Sequence, residues 1–572
     1  MKHHWQLFTI GVLGTVLLLP ALFPAQHSAA LPSVADSWSN TINLRSGSNY
    51  LPPIHASLLP NGKILMNGKS TPTLIAASSG PALLDFMFTP TPVGQSLPTE
   101  SYATIVSAPL EIPPPGVVAP PWQYFDALLC AGHAYMNDGT LFTAGGTRLI
   151  QNTASSSLYD MGLGYATKYN PLTSSWTKVS SPMLGTGTIS SSSLRWYPTV
   201  THLGDSRMLV TAGTELLVAS LGQYYINRSV EAYNPSSNSW QVLSTHSESP
   251  AEIWNRDYTH VSQLPRKFFG SDILMFGEYG IPVFMNLNPT STPKWFVSTS
   301  KRPDTQTGQS SNYSASSVLL PLRANDGDMG YANGSMLIAG GLFNSSHETN
   351  IDVYDPSTDS WKPRIDSGTH RHHPATVILP DARIAIIGGW NLTNDTTVGQ
   401  VQYVDPLNNF SLAQGASNMT EVRGYHTSAV LLPDGRVFVG GGKDNASSLG
   451  GERGDFRYLS PDYMFKPRPA IWAASSSTIK YGQNFWVLWN SSTTVNDVAL
   501  VSLGSMTHSF DENQRYVQLK FYGNVTSTWP NTQYAVVQAP LTPEIAPQGY
   551  YMIFVLDQQR VPSQAGIIKL TN

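Results

Sequence analysis

Tyr425 and His426 stand side by side in the stretch Arg423-Gly424-Tyr425-His426-Thr427-Ser428. A phenol and an imidazole can each bind a metal or take up a proton. The only cysteine of the 572 residues is Cys130, with His133 three positions on. Tyr197 follows Trp196 in Leu194-Arg195-Trp196-Tyr197-Pro198-Thr199. The run His370-Arg371-His372-His373 is a further concentration of metal-binding types. Taken singly, each has a plainer reading. Tyrosines pack as aromatics with a bonded hydroxyl, histidines serve as satisfied structural groups, and a lone cysteine fills a gap as a buried, inert thiol. The choice depends on whether the architecture brings these side chains together.

The elements around Tyr425 and His426 read as a hairpin. Ser428 to Leu432 is an apolar strand, Pro433-Asp434-Gly435 is a turn, and Arg436 to Val439 is a second strand ending in glycines. The glycine-ended strand occurs seven times, at 63–68, 140–146, 207–213, 272–277, 335–341, 383–389 and 436–441. A second signature follows several copies: Tyr169-Asn170-Pro171 with Trp176, Tyr233-Asn234-Pro235 with Trp240, Tyr354-Asp355-Pro356 with Trp361, and a degraded Tyr403-Val404-Asp405-Pro406 with Phe410. The Asx-Pro pair turns the chain, and the aromatics can pack between neighbouring sheets. This resembles the kelch blade of a β-propeller and predicts seven four-stranded blades over roughly residues 40 to 460. A β-sandwich of accidental hairpins is the competing architecture, disfavoured by seven copies in phase. In a blade the first strand lies nearest the axis. Aligned on the turn before the glycines, Cys130, Tyr197 and the pair Tyr425-His426 occupy the same entrance to that strand, so all four are expected at one mouth of the channel. Phenol and imidazole donors meeting there suit a metal such as copper, though spacing alone does not name it.

Composition supports the architecture. Apolar residues make up 41% and charged residues 12%, with 46 Gly and 42 Pro, a turn-rich, mostly β profile. The net charge of −4 gives no reason to expect a nucleic-acid partner. Residues 467 to 572 carry short β-like runs and are expected to form a separate sandwich. Residues 31 to 45 fit either an extra strand or an N-terminal arm. Met1 to Ala30 reads as a signal peptide: Lys2 precedes an apolar run from Leu7 to Phe23, and Ser28-Ala29-Ala30 suits cleavage. A retained signal anchor with an external catalytic domain is the alternative. Otherwise no stable membrane insertion is expected. Eleven Asn-x-Ser/Thr sites, among them Asn227, Asn312, Asn391, Asn418, Asn490 and Asn524, agree with a secreted glycoprotein.

Four stretches together resemble the copper-radical oxidases, the galactose oxidase and glyoxal oxidase group. The first is Arg423 to Ser428 leading to Leu432-Pro433-Asp434-Gly435-Arg436-Val437. The others are Cys130-Ala131-Gly132-His133 with Arg195-Trp196-Tyr197-Pro198, residues 504–515 around His508, and Arg457 to Tyr463. The second and third are similar to the glyoxal oxidase branch in particular. The resemblance implies an all-β chain: residues 31–460 a seven-bladed kelch-type propeller, and 461–572 an immunoglobulin-like β-sandwich as in galactose oxidase. It implies one copper ion with ligands Tyr197, Tyr425, His426 and His508, and a thioether between Cys130 and the Tyr197 ring that carries the radical. Tyr425 would be the axial ligand and general base. Trp196 would shield the radical and His133 would be a hydrogen-bond partner; the segment His370 to His373 would be a substrate-side element. The implied activity is oxidation of small aldehydes, as hydrates, to carboxylic acids, with O2 reduced to H2O2. A primary alcohol or sugar oxidase is the alternative. Further off is a non-catalytic kelch propeller that binds carbohydrate or protein, which would predict the loss of a ligand. The expected partners are the substrate, O2 and an extracellular peroxidase using the peroxide, with the chain itself a monomer.

Overall fold

The computed structural model describes residues 31–572 apart from 47–48, 69–83, 107–121, 153–157, 186–192, 219–222, 256, 289–293, 304–313, 325–332, 344–345, 348, 392–395, 444–450 and 527–530. The expected signal peptide, residues 1–30, lies outside the described residues. Each of the seven glycine-ended stretches forms the second strand of an antiparallel sheet: Ile64–Gly68, Leu141–Ala144, Met208–Thr211, Ser271–Phe276, Met336–Gly340, Ile384–Ile387 and Val437–Gly441. In the last sheet Thr427–Leu431 pairs with Val437–Gly441 in the expected hairpin register. Its turn closes because Gly435, at φ 94°, donates to the Leu432 carbonyl at 2.9 Å, while Asp434 Oδ1 accepts the Arg436 N–H at 2.9 Å. The first strands of these sheets form a closed circle, with the strand Ser505–Thr507 standing between those of the first and second blades. The inner strands His55–Leu58, Ala375–Ile378 and Thr427–Leu431 are buried at every position, so they show no alternation of buried and exposed residues. The expected propeller of seven blades is therefore present.

The glycine pairs have a specific steric task. Gly145, Gly340 and Gly388 have φ of 69°, 70° and 63°. A Cβ there would lie 2.4, 2.4 and 2.3 Å from the carbonyl oxygens of Arg195, Arg371 and Arg423 in the next blade. The glycines after them, Gly146, Gly341 and Gly389, donate to those same carbonyls at 3.0, 3.1 and 2.6 Å. Each glycine pair thus seats the turn that enters the following blade. The three arginines are buried and serve the same repeat. Arg195 reaches the Ala212 carbonyl and Glu231, Arg371 the Gly388 carbonyl and Gln402, and Arg423 the Gly441 carbonyl and Asp455. Two residues after them come Tyr197, His373 and Tyr425. The fold fixes the arginine and leaves the side chain two places on to function.

The Tyr-Asx-Pro aromatics pack between blades: Tyr233 stacks on Phe142 of the preceding blade at 5.1 Å, and Tyr354 meets Phe276 edge-on at 5.5 Å. The N-terminal residues act both as a strand and as an arm. Ile42–Ser46 pairs with Asp455–Ser460 as the outer strand of the seventh blade, which ties the two ends of the ring together. Ser33–Val34 adds in parallel to Ser411–Gly415 at the edge of the sixth.

Residues 470–571 form two further sheets, with Trp489, Val498, Leu500, Val537 and Val555 buried between them. One excursion from this part enters the ring of inner strands. Ser505–Thr507 pairs antiparallel with His55–Leu58 of the first blade and also touches the first strand of the second. The inner edge of the first blade offers a ladder for this strand to fill, and the turn that follows Thr507 places His508 at the axis. No helix among the described residues is long and apolar enough to cross a membrane.

Candidate metal centre

Cys130, Tyr197, Tyr425 and His426 enter from the second, third and seventh blades and His508 from the turn after the inserted strand. The structure brings all five together. The ligating atoms of Cys130, His426 and His508 lie within 4.8 Å of one another, with Cys130 Sγ 3.4 Å from His508 Nε2. The Tyr197 and Tyr425 hydroxyls are hydrogen-bonded to each other. His508 is central: its ring centroid lies 4.5 Å from that of His426, 5.2 Å from Tyr197 and 5.4 Å from Tyr425. Cys130 packs with Tyr197, Tyr258 and Phe510 in one buried cluster, and the Cys130 carbonyl accepts the Tyr197 N–H at 3.0 Å.

Backbone geometry marks the same residues. Cys130, Tyr197, His426 and His508 have φ of 63°, 60°, 68° and 51°. A left-handed conformation costs a non-glycine residue roughly 1–3 kcal/mol and persists only where the surroundings impose it. Here the tight entrance turns, and for His508 the turn after the inserted strand, impose it.

The imidazoles are held by their far nitrogens. Glu452 lies 2.8 Å from His426 Nδ1, and Thr507 Oγ1 lies 2.6 Å from His508 Nδ1. Both arrangements leave Nε2 as the atom turned to the cluster. Trp196 lies over the Tyr197 ring, centroids 4.4 Å apart, and Tyr258 meets its edge at 5.3 Å. His133 bonds to Ser505 Oγ at 2.6 Å and lies 5.2 Å from the His55 ring. The contact to Cys130 is made instead by His55, whose Nε2 accepts the Cys130 N–H at 3.1 Å. In the histidine-rich segment, Arg371 braces the blade. His372 exchanges backbone bonds with Trp390 at 2.9 Å, and His373 reaches the Tyr425 ring at 5.0 Å.

Sequence reasoning misses His55, Tyr258 and Glu452. Aligning Leu59-Pro60-Asn61-Gly62 with Leu432-Pro433-Asp434-Gly435 places His55 in an inner strand and would single it out. Tyr258 likewise opens the fourth blade. Glu452 lies between the second and third strands of the seventh blade, outside the repeat, and nothing in the sequence points to it.

Electrostatics favour a cation among these groups. Burial above all, then the neighbouring His426, His55, His373 and His133, pushes His508 well below the usual imidazole range, so its lone pair is available. Burial, then Cys130, Tyr425 and Asp257, pushes the Tyr197 phenol well above its ordinary value. Such a phenol ionises only beside a positive charge. Two imidazole nitrogens and two phenol oxygens make an N2O2 donor set that suits copper(II). The residues fit that ion.

The chain is similar to proteins named galactose oxidase and aldehyde oxidase. Residues 468–570 match the family model of the galactose oxidase-like early set domain. A galactose oxidase of Gibberella zeae is 25% identical over 402 residues, 66% of this chain and 54% of that protein. An aldehyde oxidase of Arabidopsis thaliana is 29% identical over 288 residues, 44% of this chain and 46% of the relative. One of Vitis pseudoreticulata is 36% identical over 166 residues, 26% and 30%. The chain spans about half the length of the curated relatives it matches. Among solved structures, a fungal alcohol oxidase described as a copper complex superposes with a TM-score of 0.68 at 17% identity, over 94% of this chain and 100% of that one, which bears on the fold.

Proposed function

We propose that this chain is a copper-radical oxidase that converts small aldehydes, through their hydrates, to carboxylic acids while O2 becomes H2O2. The observation that carries this reading is the convergence of Cys130, Tyr197, Tyr425, His426 and His508 from three blades and the inserted strand. Tyr197, Tyr425, His426 and His508 would hold copper, which supplies one oxidising equivalent while a Cys130–Tyr197 thioether radical supplies the other. Tyr425, half-buried beside His426, takes the proton of the substrate hydroxyl. Tyr197 removes hydrogen from the reacting carbon, and a thioether sulfur on its ring spreads the unpaired electron. Trp196 and Tyr258 cover two sides of that ring and keep water from it. Glu452 and Thr507 hold the two imidazoles in the orientation that ligation needs.

The aldehyde preference is supported by the motifs around Cys130, Tyr197 and His508 and by the two plant aldehyde oxidases. Primary alcohols are the second reading, supported by the galactose oxidase match over the larger part of this chain. We place the enzyme outside the cell, on the strength of residues 1–30 and the glycosylation sites. The test is copper loading followed by peroxide release from matched aldehydes and primary alcohols. Release from aldehydes in preference to the alcohols is expected. A copper-loaded protein that releases peroxide from neither class sinks the reading.

A further inference from the structure

The entrance turns of the third, sixth and seventh blades share one register, Arg195-x-Tyr197, Arg371-x-His373 and Arg423-x-Tyr425. His373 therefore occupies in the sixth blade the place of Tyr197 in the third. Its φ of 54° matches that of Tyr197 at 60°, and it is buried, 3% exposed. Its backbone is secured without the imidazole: its N–H donates to the Ser314 carbonyl at 2.9 Å, and its carbonyl accepts from Ser509 Oγ at 3.1 Å, one residue past His508. Arg371 supplies the blade's own bracing. These backbone bonds set where the side chain sits. The side chain is an imidazole, 5.0 Å from the Tyr425 ring. From the fourth blade, buried Asp257 brings a carboxylate oxygen to 3.9 Å from His373 Nδ1. The same carboxylate acts electrostatically on Tyr197 and Tyr258. A polar wall therefore stands at the side of the cluster where Tyr425 and Tyr197 face each other.

We propose that His373, supported by Asp257, is the specificity-determining residue that holds the second hydroxyl of an aldehyde hydrate and so favours aldehydes over primary alcohols. This rests on the oxidase reading above. Water adds to the aldehyde, RCHO + H2O → RCH(OH)2. The oxidation is RCH(OH)2 + O2 → RCOOH + H2O2: the carbon loses one hydrogen, one hydroxyl loses its proton to Tyr425, and both electrons end on dioxygen. The geminal hydroxyl does not react. It needs a polar partner, and an imidazole offers one donor and one acceptor. A primary alcohol has a hydrogen in that place and leaves the partner unmatched. A site built to bond a hydroxyl discriminates against the analogue that lacks it.

The experiment compares kcat/KM for acetaldehyde and ethanol in the copper-loaded parent, His373→Phe, His373→Gln and Asp257→Asn. Copper content and the Cys130–Tyr197 peptide mass confirm that each site is assembled. In His373→Phe the aldehyde-to-alcohol ratio is expected to fall about 10- to 100-fold, the value of one well-placed hydrogen bond. In His373→Gln, which keeps a bonding group, the ratio stays within about threefold of the parent. If His373→Phe does not fold, Asp257→Asn carries the same test through the support of the imidazole, with a smaller fall expected. Ratios unchanged in the variants that assemble overturn the inference while leaving the oxidase reading intact. A parent with assembled site that oxidises neither substrate overturns both.

Discussion

Removing the Glu452 carboxylate tests how far the protein, rather than the ligands alone, sets copper affinity. Glu452 lies 2.8 and 2.9 Å from His426 Nδ1 through its two oxygens, and its side chain is 13% exposed. Lys443 Nζ lies 3.7 Å from the same carboxylate and 5.3 Å above the Tyr425 ring. A hydrogen bond to a charged group contributes about 1.5–3 kcal/mol. At ~1.36 kcal/mol per tenfold, Glu452→Ala should weaken copper binding roughly 10- to 150-fold, in line with the about 10- to 100-fold known for carboxylates behind metal-bound histidines. Glu452→Gln keeps an acceptor and loses the charge, so its loss should stay below about tenfold. The assay is competition titration against a chelator of known affinity, with copper EPR reporting the ligand geometry. Affinity of Glu452→Ala within about threefold of the parent, with an unchanged EPR spectrum, would refute the claim that this carboxylate orients His426.

Three further outcomes follow from the same geometry. Cys130→Ser should eliminate the crosslink and the radical absorption while copper still binds, and kcat should fall at least about 100-fold, ~2.7 kcal/mol; full activity without the sulfur would contradict its role. Gly388→Ala forces a left-handed alanine and drives a Cβ to 2.3 Å from the Arg423 carbonyl. A loss of about 2–4 kcal/mol is expected, read as a lower Tm together with weaker copper binding, because the displaced turn carries Tyr425. An unchanged Tm would show that the seat is not tight. The copper-free protein should lose stability as pH falls from about 6.5 to 4. Burial holds His133 and His202 at about 4 and pushes His55, His373 and His508 down as well. The unfolded chain then binds more protons in this window, and each of the first two histidines withdraws roughly 3 kcal/mol across it. Asp511 and Asp497, raised by burial to about 7 and about 6, act the opposite way but are outnumbered. Denaturation midpoints that stay flat from pH 7 to 4.5 would contradict this.

The blades are legible in the sequence because each glycine pair has a local task, seating the next entrance turn, and local tasks repeat. Tyr197, Tyr425 and Cys130 are legible for the same reason, as departures from a repeat at fixed register. Two residues resist such reading, each for a physical reason, and two more yield only once the blades are aligned. His508 comes from outside the propeller, and only strand pairing with His55–Leu58 brings it to the axis. Glu452 acts across a loop that obeys no period. His55 and Tyr258 look like strand residues until the ring closes around them. His133 shows the reverse: proximity in sequence to Cys130 suggests a contact, yet the pleat turns its ring toward Ser505.

The central claim is that Cys130, Tyr197, Tyr425, His426 and His508 form one copper site with a crosslinked tyrosine. Peptide mass spectrometry after aerobic copper loading tests it most directly, alongside metal analysis of the same sample. The account predicts one copper per chain and a Cys130 peptide joined to the Tyr197 peptide, lighter than their sum by two hydrogens. Full copper occupancy with the two peptides recovered separately, in protein that still oxidises substrate, would contradict it.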